Sequence, residues 1–326
     1  MTAVLDSRDP TGHIRPLDLS ADLNKVADLV ESCFPIHRDP DGQTYVREMR
    51  KAARDYNLLG WLSGLDDIGR KNPAGFVWVH DEHIIGNLSM IPFIKAGKSI
   101  YLLANVAVHP QHRRKGIARA LTIRALDHLR RYGELDVWLQ VRHDNPPAID
   151  LYRSLGFSDQ AIRTTWRIRP FEFKHIIDAG SHQINLRHRQ EGNWKKQQCW
   201  LDRTYPREIR WNLPLDFRRL KPGLFQSVAN LMDGVYLRQW GIEVDGKTLG
   251  WITWQKAKTF ANNLWLAFPE DMEHILLPAA LGKTINQLSR RHVISIDYPF
   301  GRFQEGFTAL GFDHFRTLIW MKRRLK

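Results

Sequence analysis

The chain has 326 residues, 43% hydrophobic and 25% charged, which is the balance of a folded globular protein and not of a disordered or fibrous one. Its net charge is +13, yet no basic run is long enough to read as a nucleic-acid arm, and no apolar run approaches the roughly 18 residues of a membrane-spanning helix. Cys33 and Cys199 are the only cysteines, too few for a disulfide framework or a zinc site.

The N-terminus lacks the patterning of a signal peptide, so the expectation is a cytoplasmic protein with no membrane partner and no metal. At roughly 100–200 residues per domain, the length predicts two domains. Residues 1–170 carry 24 basic and 20 acidic side chains and residues 171–326 carry 24 and 15, so the positive excess lies in the second half.

In chain order, residues 13–17 read as a short strand. Asp18 and Ser20 are capping types ahead of Leu23, Val26, Leu29 and Val30, whose spacing predicts a helix over 22–34 that Pro35 ends. A turn at 37–42 precedes a second helix within 43–56. Residues 76–80 and 83–93 flank the polar pair Asp81-Glu82 and predict a hairpin. His80 and His83 beside that pair invite a metal reading. Successive strand residues point to opposite faces, however, and hairpin turns collect polar residues, so a polar turn is preferred.

A strand over 99–108 then runs into the turn Arg113-Arg114-Lys115-Gly116-Ile117-Ala118, which opens a helix from 114. Orphan N–H groups and the helix dipole make such a start an anion site. Gly116 and Ala118 let an anion approach the backbone, and Arg113, Arg114, Lys115 and Arg119 add charge. Ile117, Leu121, Ala125 and Leu129 form one apolar stripe, and Gly133 stops the helix. A strand over 136–141, a helix over 146–155 and a strand over 161–168 follow, then a candidate linker over 170–182.

The second half repeats the first. Residues 13–35 match 184–206 in strand-then-helix layout. Gly86 aligns with Gly250, Pro110 with Pro269, and Gly156 with Gly311, in order. Four matches in the same order, at an offset that falls steadily from 171 to 155, predict a tandem duplication whose second copy has shorter connections.

Arg113-x-x-Gly116-x-Ala118, after a strand and opening a helix, resembles the R/Q-x-x-G-x-G/A signature of the GNAT superfamily of N-acetyltransferases. Asn145-x-x-Ala148-x-x-Leu151-Tyr152-x-x-x-Gly156-Phe157 resembles its second signature. The resemblance covers residues 13–169 well and 184–322 as a degenerate relative. It implies an α/β chain of two tandem GNAT domains, over 13–172 and 181–326, each a mostly antiparallel mixed sheet flanked by helices. It further implies acetyl-CoA as acyl donor, with a primary amine, small-molecule in character, as acceptor.

The implied roles follow the signatures. The turn Arg113, Arg114, Lys115, Gly116, Ile117, Ala118 and Arg119 would hold the pyrophosphate. The stretch Val106, Ala107 and Val108 would align the pantetheine arm through its backbone, and Asn145 would contact the cofactor. Tyr152 would protonate the departing thiolate. A thiol titrates near about 8.5 and a tyrosine near about 10, so the phenol is still protonated when it is needed.

One departure stands out. Where many relatives carry an acidic base, this chain reads Leu103-Ala104-Asn105. His37 and Asp55, in the helical region that often lines the acceptor site, are guesses for that role. In the second copy Phe307 aligns with Tyr152, Asn145 falls near Phe300, and no glycine turn follows Pro269, so that copy reads as inactive. Rival readings are a protein N-terminal or lysine acetyltransferase, a CoA-binding regulator without turnover, and a nucleic-acid module using Trp194, Trp200 and Trp211 among basic residues. Core packing is the preferred reading of those tryptophans.

Overall fold

The computed structural model describes residues 12–54, 74–95, 98–174, 184–188, 193–257, 259–288 and 292–326. It divides into two compact units. The first comprises residues 1–141, 145–159 and 321–326, and the second comprises 142–144 and 160–320.

In the first unit, β1 (His13–Pro16) leads to α1 (Leu19–Cys33) and α2 (Pro40–Arg54). Asp18 caps α1 by accepting from the backbone of Ser20 and Ala21. β2 (Gly75–His80) and β3 (His83–Lys95) form the expected hairpin, with Asp81 and Glu82 at φ of 45° and 62° in its turn. β4 (Lys98–Val108), α3 (Ile117–Arg130), β5 (Leu135–Arg142) and α4 (Pro146–Ser154) follow. The strand order is β1-β2-β3-β4-β5.

Alternation along β2 sorts the helices onto two faces. Val77 and Val79 pack with Val26, Val30, Val46 and Met49 of α1 and α2. Phe76 turns the other way, meeting His128 of α3 at 5.7 Å. Gly86 of β3 lets α3 approach, because a Cβ there would stand 2.8 Å from Ile117 Cγ2.

The second unit repeats this plan: β7 (Asn185–His188), α5 (Trp194–Thr204), α6 (Leu224–Met232), β8 (Leu237–Val244), β9 (Lys247–Gln255), β10 (Ala261–Ala267), α7 (Glu273–Asn286), β11 (Val293–Pro299), α8 (Gln304–Ala309) and β12 (Asp313–Leu325). β6 (Ser158–Ile168) pairs antiparallel with β11, and the order is β12-β6-β11-β10-β9-β8-β7. Ile242, Ile252, Leu264, Leu266, Ile296 and Phe307 form one core layer, and Trp200, Tyr205, Trp251 and Trp265 another.

The aligned glycines do the same work in both copies. The register of β2 against β3 shifts just after the pair Trp78↔Gly86, and that of β8 against β9 just after Ile242↔Gly250. Gly156 and Gly311 have φ of 80° and 90°, and each closes a helix through the same two backbone bonds, Gly156 N to Arg153 O and Phe157 N to Tyr152 O in the first copy, Gly311 N to Thr308 O and Phe312 N to Phe307 O in the second. The fold is therefore a tandem pair of mixed, mostly antiparallel sheets flanked by helices.

Candidate active site

The site is built from β4, β5, α3 and α4 of the first unit. β4 and β5 run parallel and pair from Ile100↔Asp136 to Leu103↔Leu139. Both strands continue, but no further pair joins them among the described residues. β4 also bulges against β3. Its pairing jumps from Ser89↔Ala104 to Asn87↔Ala107, so Asn105 and Val106 stand opposite the single residue Leu88. Asn105 takes φ of 51°, a left-handed conformation that asparagine tolerates better than most residues.

A polar network holds that bulge. Buried Asn87 donates from Nδ2 to the Asn105 carbonyl at 2.9 Å, and Asn105 donates from Nδ2 to the Tyr45 hydroxyl at 2.5 Å and to Ser89 Oγ at 3.4 Å. Neutral amides and hydroxyls thus occupy the stretch where relatives were expected to carry an acid. Sequence reading missed Tyr45, Asn87 and Ser89. The available signal was a pair of asparagines inside two strands, a residue type that strands avoid unless its polar groups are partnered.

The stretch 106–108 presents its backbone. Ala107 is buried against α1 and α2, so its side chain belongs to the core. The Val108 carbonyl accepts from Cys33 Sγ at 3.3 Å and from Arg113 Nε at 3.2 Å.

The basic turn differs from expectation in one respect. The helix does not begin at Arg114 but at Ile117, because Arg114 and Gly116 take φ of 65° and 79° and cannot continue a right-handed helix. The gain is a short loop ahead of a capless helix start, with Gly116 as N-cap and no side chain bonded across it. Arg113, Arg114, Lys115, Gly116 and Arg119 are exposed. Ile117 is buried at 1% and can offer only its backbone, and Ala118 is half-buried.

Asn145 caps α4, accepting from Ala148 N at 3.4 Å. That accounts for a polar residue there and leaves its Nδ2 donors for another partner. Tyr152, on the same helix, is only 6% exposed, its ring edge-on to Phe157 at 6.0 Å. Its hydroxyl makes no hydrogen bond to another described residue, and burial pushes the phenol well above its ordinary pKa. Arg119 Nη2 donates to Ser154 Oγ at 2.6 Å, joining the first turn of α3 to the last turn of α4. His37 is exposed in a short 3-10 segment, and Asp55 lies outside the described residues.

Residues 23–157 match the family described as "Acetyltransferase (GNAT) family". Over 64 residues the chain is 44% identical to the [Ribosomal protein bS18]-alanine N-acetyltransferase of Escherichia coli (strain K12), a match covering 20% of this chain and 43% of that one. Over 148 residues it is 30% identical to a mycothiol acetyltransferase of Actinosynnema mirum, covering 44% of each chain. The chain thus spans under half the length of these curated relatives. Among solved structures, a tandem GNAT protein from the clavulanic acid biosynthesis pathway superposes over 97% of this chain and 99% of its own, with a TM-score of 0.50 and 14% identity, a likeness of fold alone.

Proposed function

With residues 23–157 forming an acetyltransferase domain of the GNAT family, we propose that the protein transfers the acetyl group of acetyl-CoA to a primary amine of a small-molecule acceptor. The chemistry is assigned to the first repeat, residues 13–172. The second, residues 181–326, has a non-catalytic role. The observation that carries this reading is the conjunction, in one unit, of a bulged β4 parting from β5 with an exposed basic turn at the start of α3.

Pyrophosphate fits the turn at Arg113–Arg119, where outward amides, the helix dipole and four cationic side chains act together. The pantetheine arm fits along the side of Val106 and Val108 that β5 leaves unpaired, where the arm takes the place of a strand partner for backbone groups other than the Val108 carbonyl, which Cys33 and Arg113 already fill. Asn145 offers its amide donors to the cofactor. The site is not expected to need a metal.

Acetyl transfer forms a C–N bond, breaks the C–S bond, releases one proton from the amine nitrogen to solvent and leaves a thiolate. The Tyr152 hydroxyl is the proposed donor to that sulfur. Burial makes this phenol a weaker acid than free tyrosine, so it acts first as a hydrogen-bond donor. Full proton transfer is favoured only where the thiolate is desolvated too. An amine that arrives neutral needs no carboxylate base to attack, in keeping with the neutral network at Asn105.

Three features support one cofactor site per chain. β10 pairs with β9 without a bulge, from Asn263↔Gln255 to Ala267↔Trp251. The Leu266 amide is taken by the buried Tyr205 hydroxyl at 3.2 Å. The first residue of α7, Glu273, is buried at 2% and held by Tyr298 at 2.5 Å and by Arg302, so a carboxylate stands where a phosphate would be needed.

A second reading, an α-amine on a protein as acceptor, is favoured by the 44% identity to the alanine N-acetyltransferase of Escherichia coli. An acetyl-CoA turnover screen across small amines and peptide N-termini, run beside Tyr152→Phe, tests both. Turnover only on peptides would replace the small-molecule acceptor.

A further inference from the structure

α6 is amphipathic the wrong way round. Two of its polar residues are half-buried against the protein: Gln226 donates to Asn230 at 3.0 Å, and Asn230 donates to the Arg219 carbonyl at 3.0 Å. Four of its apolar residues face outward: Phe225 is 95% exposed, Met232 82%, Leu231 67% and Val228 55%. Phe225, Val228 and Met232 fall at i, i+3 and i+7, so they project along one stripe. A contiguous apolar stripe this exposed is a candidate interaction surface.

The flanking chain is basic, with seven Arg or Lys against three acidic residues between Arg203 and Arg238. Four of those cations hold carboxylates, Arg207 and Arg210 on Asp202, Arg218 on Asp216 and Arg219 on Asp233, so Arg203, Lys221 and Arg238 carry the excess positive charge. Lys221, three residues before the helix, is exposed.

We propose that α6 seats the protein on an anionic lipid surface, with the stripe entering the headgroup and acyl boundary and the flanking cations meeting lipid phosphate. Charge favours this occupant over a second copy of the chain, because two basic flanks repel each other. Shape favours it over a protein groove. Phe225 and Met232 stand nearly free, and a deformable bilayer edge accepts such side chains without a preformed partner. No helix among the described residues is long and apolar enough to cross a membrane, so the contact is peripheral.

Co-sedimentation of the full chain with phosphatidylcholine vesicles, with and without phosphatidylglycerol, tests this. Binding is expected only with phosphatidylglycerol and weakens as salt rises. Phe225→Gln with Met232→Gln lowers binding on the order of tenfold or more. Lys221→Glu lowers it by roughly tenfold at low salt. Unchanged melting temperatures verify that the variants fold. Absence of binding to the anionic vesicles, equal binding to both vesicle types, or unchanged binding by the double variant overturns the proposal. So does a dimer that the double variant converts to monomer, which would give the stripe to a second copy.

Discussion

Arg119 reaches across from the first turn of α3 and donates from Nη2 to Ser154 Oγ at 2.6 Å, while Ser154 donates onward to the Leu151 carbonyl at 2.6 Å. The start of the proposed phosphate helix is thereby tied to the helix that carries Tyr152. Arg119→Ala removes both the tie and a cation, and raises the KM for acetyl-CoA by about five- to tenfold. Ser154→Ala removes the tie alone and moves that KM by less than about twofold. Steady-state kinetics compares them, and equal effects would show that Arg119 acts only through Ser154.

Tyr152→Phe deletes a hydroxyl without a partner among the described residues and keeps the ring against Phe157. The turnover number is expected to fall on the order of a hundredfold or more, with the melting temperature nearly unchanged. Full turnover by this variant on the true acceptor would falsify the general-acid role.

Gly116 and Gly133 make a matched pair, with φ of 79° and 80° and nothing within 4 Å of a Cβ added to either. Alanine at either position costs about 1–2 kcal/mol in stability, because L-residues resist the left-handed region. Only Gly116→Ala should also weaken CoA binding, since it alone lies in the basic turn. Calorimetric titration of both variants separates strain from ligand contact.

Titration with CoA is expected to give one site per chain. Glu273→Ala should leave the first site untouched. Two sites in the unaltered chain would end the assignment of a non-catalytic second repeat.

Burial holds the phenols of Tyr152, Tyr205 and Tyr298 above their ordinary value. The folded chain therefore binds these protons more tightly than the unfolded chain. Their contribution to stability is complete below about pH 10 and is lost as pH rises from there through the folded values. Tyr152→Phe removes one such group, so its melting temperature should fall less steeply with pH on the alkaline side. Parallel slopes would show that Tyr152 is not titrating in that range.

Much of the fold was legible because its markers are local. Asp18 caps α1 where a capping residue was expected, and Gly133 and Gly156 end helices where only a left-handed residue can. The duplication was legible because each aligned glycine answers a backbone demand that recurs in both copies: a shift in strand register, or a helix end. The start of α3 was misplaced by three residues, since nothing in Arg114 announces a positive φ.

The residues around the bulge were hidden for a different reason. Tyr45, Asn87, Ser89 and Asn105 meet only when α2, β3 and β4 are stacked, and none carries a sequence motif. The inverted face of α6 was equally silent, because periodicity marks an apolar stripe without saying which side of the helix meets the protein. By itself the sequence determined what short-range geometry controls: strands, caps, turns, the repeat and the two signatures around Tyr152. Only the tertiary structure decided that β4 bulges and β10 does not, and that Glu273 is buried at the head of α7. Those outcomes depend on which distant groups arrive to satisfy a buried polar atom, and that arrangement has no fixed spacing along the chain.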